Sequence, residues 1–144
     1  MSRSDMAADL FSNGFSCSQA VLAAYCDVCN LDQETALRLS AGFGGGAKSG
    51  EICGAISGAL IVVGMRYGQV DAKDKETRQI CDEKVKKLLR LFRERNGHIV
   101  CRELLRDIIP VDAGADAETK KQIKAQRCTK MVRDVMEFLE QLDD

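Results

Sequence analysis

With 144 residues the chain is long enough for one domain to bury a hydrophobic core without disulfide staples. Its 21 lysines and arginines against 22 aspartates and glutamates leave a formal charge of −1, so no global field draws it to nucleic acid or to an anionic membrane, and those partners are set aside. The chain carries seven cysteines and no visible apolar leader or lipidation motif, so it reads as cytoplasmic; an odd count in a reducing compartment favours metal binding or redox work over a static disulfide framework.

One proline, few aromatic residues and no strand-like runs predict an all-α fold, a single helical-bundle domain over residues 1–144. Asp5 to Phe11 puts Met6, Leu10 and Phe11 on one helical face, and Asn13-Gly14 supplies a stop. Ser16 and Gln19 stand at capping-box spacing, which makes Cys17 the first residue of a helix running through Val21, Leu22 and Tyr25 to about Cys29. Asp32 caps a short third helix with Glu34 in its first turn and Leu37 as a core contact. Five glycines follow between Gly42 and Gly50, freeing the backbone for positive φ and close approach.

Ser49 or Gly50 is then expected to cap a central helix over Ile52–Met65, nearly all apolar or small and too short to span a bilayer, with Cys53 in its first turn. Gly50, Gly54 and Gly58 recur every four residues, a groove for close helix packing within one chain or in a homodimer. From Asp71 to Arg95 the apolar positions Cys81, Val85, Leu88 and Phe92 mark one buried face, ended by Asn96-Gly97. Ile99 to Leu105 restarts helix near Cys101, and Pro110 prevents it going far. After the loose stretch Val111 to Ala117, a last helix carries Met131, Val135, Phe138 and Leu142; Cys128 lies either inside it or at the start of a second piece.

Several motifs carry less than they suggest. Gly42 to Ser49 is close to a phosphate-binding loop, but a helical segment precedes it where that loop needs a strand, so nucleotide hydrolysis is disfavoured. Anion or cofactor binding through the amides of Gly44, Gly45 and Gly46 remains open. Cys26-Asp27-Val28-Cys29 stands alone, without a second such pair or a βαβ context, and reads with Cys81 as buried sulfur. His98 reads as a solvated loop residue, and the run Lys120, Lys121, Lys124, Arg127, Lys130 and Arg133 as a wet face able to raise the potential around Cys128.

Cys17, Cys53, Cys101 and Cys128 stand apart, because three fall at predicted helix starts and the fourth does too if a second helical piece begins there. Helix N-termini favour thiolate over thiol, so a bundle that gathers these starts would hold a small thiolate cluster. Such a cluster exchanges electrons through disulfides or holds a soft metal, zinc or an iron–sulfur centre.

The sequence Cys53-Gly54-Ala55-Ile56-Ser57-Gly58 resembles the signature of the C_GCAxxG_C_C family. The resemblance extends to Cys17-Ser18-Gln19-Ala20-Val21-Leu22, Gly42 to Gly46, Cys101-Arg102-Glu103-Leu104-Leu105 and Cys128, and it implies an all-helical fold with a redox role for the four cysteines. It leaves Cys26, Cys29 and Cys81 outside the pattern and names no substrate.

Three readings follow. In the first, Cys53 is the nucleophilic thiolate of a thiol-redox protein, resolved by Cys17, Cys101 or Cys128 and served by a redox partner protein not named by the sequence. In the second, the four sulfurs ligate a metal or an iron–sulfur cluster; in the third, the chain is a helical interaction module whose thiols are structural.

Overall fold

Short-range capping fixes most helix starts in this chain. In the computed structural model, which describes residues 1–106 and 117–143, α1 spans Arg3–Ser12, α2 Cys17–Ala24, α3 Gln33–Ser40 and α4 Gly54–Tyr67. Beyond them lie α5 (Lys75–Asn96), α6 (Cys101–Leu104) and α7 (Ala117–Gln141). The side chains of Ser2, Asp32 and Asp74 each accept the amide three residues on, satisfying a donor that the first helical turn leaves orphaned. At α2 the capping box closes both ways: Ser16 Oγ accepts from the Gln19 amide, and Gln19 Oε1 accepts from the Ser16 amide at 3.0 Å. Gly97 takes the left-handed conformation (φ 84°) that ends α5, as Asn96-Gly97 leads one to expect.

α2 and α4 lie against one another at the centre of an all-α bundle. α1 and α3 cover α2, α5 covers α4, and α7 closes the bundle by packing on α1, α2, α4 and α5. The small-residue stripe of α4 allows the central contact: a Cβ on Gly58 would stand 2.7 Å from the Ser18 carbonyl oxygen, so the groove is filled by α2 of the same chain. Ser18, fully buried there, donates its hydroxyl to the Ser40 carbonyl at 2.7 Å and leaves no orphaned polar group. On the far side Phe92 and Phe138, both buried, meet edge to face at 6.4 Å, each worth roughly 1.5–3 kcal/mol of burial. The expected stripe of α7 is buried at Met131, Val135, Phe138 and Leu142.

Elsewhere the structure differs from the sequence reading. α1 buries Ala7 and Ala8 while Met6 is exposed, because α1 lies close enough to α2 that only small side chains fit between them. α2 stops at Ala24 and gives way to a run of turns before Asn30, which adopts positive φ. In α3 it is Ala36 that is buried, with Leu37 half-covered. The central helix starts at Gly54 and extends to Tyr67, leaving Ile52 and Met65 exposed at its expected ends. Cys128 lies well inside the single long helix α7. Pro110 and the stretch 111–116 fall outside the described residues.

Neither Ser49 nor Gly50 caps α4, because the segment before it is extended. Ile52 pairs with Val100 in an isolated antiparallel bridge; the Cys53 amide donates to the Ile99 carbonyl at 2.9 Å and the Cys101 amide to the Glu51 carbonyl at 2.6 Å. Side chains alternate across such a pair, so Cys53 and Cys101 share one face and Ile52 and Val100 the other.

Candidate functional site

The bridge sets two of the sulfur-bearing residues side by side, and two helices bring the others. Cys17 is the first residue of α2, and its sulfur lies against Gly54, where a Cβ would stand 2.4 Å from it. Cys53 is the N-cap of α4, Cys101 the first residue of α6, and α7 carries Cys128 to the same place from mid-helix. All four line one cavity of about 320 Å³, with Phe11, Leu105 and Met131 supplying apolar wall and Lys48 and Lys124 the only charged residues among those described. Sequence positions 17 and 128 thus share one chamber, the juxtaposition a thiol cluster requires.

The segment 45–48 shapes one wall. Gly45, Gly46, Ala47 and Lys48 all have φ between 58° and 65°, a left-handed turn that costs a residue with a Cβ roughly 1–2 kcal/mol. Gly46 is required twice over: its φ is positive, and a Cβ would stand 2.4 Å from the Glu51 amide and 2.9 Å from the Cys101 Cβ. Gly44 packs on Ser16, where a Cβ would stand 2.5 Å from the serine Cβ, and Gly45 lines the cavity. Two of the three glycines singled out for amide-mediated binding are therefore close-packed, and the third faces open volume.

Electrostatics correct the thiolate expectation for Cys53. The residue is 4% exposed, and burial pushes the thiol up to about 12, with a charge on Cys17 adding to the rise. The amides of Ile56 and Ala55 pull the other way, as a helix start should, but they close no capping hydrogen bond and burial outweighs them. Burial likewise raises Cys101, and lifts Cys128 to about 11; Lys124 opposes both without prevailing, so the basic run acts on Cys128 in the expected sense and too weakly. In all three, a negative charge on Cys17 would add to the rise that burial causes.

All seven cysteines are free thiols. Among the described residues no group of three or more cysteine, histidine, aspartate or glutamate side chains is arranged to hold a metal ion, so the four sulfurs as placed do not fit a zinc or iron–sulfur centre. Cys26, Cys29 and Cys81 pack against the core and line no part of the cavity. His98 is half-exposed with Nδ1 2.8 Å from a Glu103 oxygen, the loop residue expected. The chamber's remaining wall was the hardest part to read from sequence: nothing local marks Phe11 or Leu105, and Lys48 was visible only within the phosphate-loop decoy.

Among the described residues no helix is long and apolar enough to cross a membrane. Comparison with curated proteins and with solved structures finds no match. Residues 15–142 match the family described as "Putative redox-active protein (C_GCAxxG_C_C)", a span that takes in all four cavity cysteines and the Cys53 to Gly58 signature. The chain belongs to the C_GCAxxG_C_C family.

Proposed function

We propose that the protein is a dithiol–disulfide oxidoreductant in which Cys17 is the attacking sulfur and Cys53 the resolving one. The observation that carries this reading is the convergence of four cysteines from separate elements on the wall of one cavity. Cys17 is favoured for attack because it is partly exposed and starts a helix of eight residues, whereas Cys53 is buried and held as a thiol. Cys53 is favoured as resolver because the Cys17 sulfur rests against Gly54, the next residue along.

The chemistry balances with a disulfide as oxidant. The Cys17 thiolate attacks one sulfur of an external disulfide, forming a mixed disulfide and expelling one thiolate, which takes up a proton. Cys53 gives up its proton and attacks the Cys17 sulfur, expelling the second thiolate and leaving a Cys17–Cys53 disulfide. Two electrons leave the protein, and the external disulfide becomes two thiols. Two external thiols reverse both steps, re-forming the external disulfide and the reduced Cys17–Cys53 pair.

The test is stoichiometry. Anaerobic reduced protein treated with bis(2-hydroxyethyl) disulfide should release two thiols per chain, with peptide mapping locating one new disulfide at Cys17–Cys53. Cys53→Ser should release one and retain a mixed disulfide on Cys17. Bound metal or visible absorption in the anaerobic protein, with no exchange, would overturn the reading in favour of metal binding.

A further inference from the structure

The cavity has a size and a charge that the exchange reaction alone does not require. We infer that it is the binding site of a low-molecular-weight disulfide carrying carboxylates, which Lys48 and Lys124 hold while its sulfurs meet Cys17; this rests on the dithiol reading above.

Three observations carry it. A volume of about 320 Å³ falls within the range of small-molecule sites, and most of the wall is apolar, as the carbon skeleton of such a molecule requires. The sulfurs sit in the wall, Cys53 at 4% exposure, where a small disulfide can enter. Among the described residues two cations and no acidic residue line the chamber, and neither lysine has a hydrogen-bond or ion-pair partner.

The two lysines also approach from unrelated elements. Lys124 projects from α7, whereas Lys48 comes from the left-handed turn, a conformation poorly suited to any residue with a Cβ. That turn brings the ammonium to 3.7 Å from where a Cβ on Gly44 would lie, beside the start of α2. The neighbouring cation Arg102 is absent from the cavity wall and pairs with Glu51 at 2.8 Å. The two lysines of the cavity wall are thus left without a counter-ion among the described residues, whereas Arg102 has one.

A matched charge series tests this. Reduced protein is treated with 3,3′-dithiodipropionate, bis(2-hydroxyethyl) disulfide or cystamine, each rate being divided by that of a free small thiol under the same conditions. At low salt the anionic disulfide should react about fivefold faster than the neutral one, and the cationic one more slowly than either. In Lys48→Gln/Lys124→Gln the ratio of the anionic to the neutral rate should fall to about one, whatever the variant does to either rate alone. Should that variant not fold, the wild-type ratio read from 20 mM to about 500 mM salt replaces it, and the preference should fall with screening. A wild-type ratio near one, or one unmoved by the variant or by salt, overturns the anion site and leaves the dithiol reading standing. No reaction with any of the three overturns both.

Discussion

The two ends of α2 hold cysteines in similar burial and different circumstances. Cys17 starts the helix beside Cys53, while past its other end Cys26 lies beside Cys29. Cys29 is 2% exposed and Cys53 4%; burial raises both thiols, and in each case the charge of the neighbouring cysteine adds to the rise. Burial and pairing therefore do not separate the two groups. Open volume does. The far end is closed by Arg3, which donates to both Asp27 carboxylate oxygens at 2.6 and 2.8 Å and stacks on Tyr25 at 4.7 Å. The near end opens into a chamber with cations in its wall.

The sharpest way to break this contrast is to remove one sulfur from each end. Cys17→Ser should slow thiol release from a neutral disulfide by on the order of 100-fold or more, because the hydroxyl is no substitute nucleophile. Cys29→Ser should leave that rate within about twofold while lowering stability by about 1–3 kcal/mol, the cost of a buried hydroxyl without a partner. Equal losses of rate would mean that both ends take part and that the cavity is not what matters.

A second pair of variants probes the slot that holds the attacking sulfur. Gly54→Ala would drive a Cβ to 2.4 Å from the Cys17 sulfur and 3.0 Å from the Phe43 carbonyl oxygen, so a loss of about 1–3 kcal/mol and slower exchange are expected. Gly64→Ala in the same helix meets nothing within 4 Å and should stabilise by up to about 1 kcal/mol. Denaturant midpoints of the two variants give the comparison directly.

The smaller effect is a dependence on pH. Cys53 and Cys128 keep their protons to about 12 and 11 when folded, against an ordinary 9.0, so above pH 9 unfolding releases protons and stability falls as pH rises. Below pH 9 the contribution is intact. Between pH 9 and pH 11 each thiol should remove on the order of 1 kcal/mol per pH unit, and Cys53→Ala/Cys128→Ala should flatten the slope measured by denaturant unfolding. A slope unchanged in that variant would show that these thiols are not held by burial.

Local signals carried much of this molecule. The Ser16 and Gln19 capping box placed Cys17 correctly because the whole device lies within four residues. The buried face of α5 followed from helical period alone. Cys53 was harder, since its amide bonds to Ile99 and its conformation answers to a segment nearly fifty positions away. Nor does residue type reveal that Ala47 and Lys48 wind left-handed, against their own preference. The thiolate expectation failed for a related reason: a helix start acts locally and is visible in sequence, whereas the burial that outweighs it is assembled by α2, α4 and α7 together.

Main-chain bonds alone join the Glu51–Cys53 and Ile99–Cys101 segments into the antiparallel bridge, so neither link depends on what side chain stands at 53 or 101. Both positions therefore accept a change of chalcogen without a change of backbone. A selenocysteine placed at either would sit on the same fixed frame as the sulfur it replaces, with little change of volume.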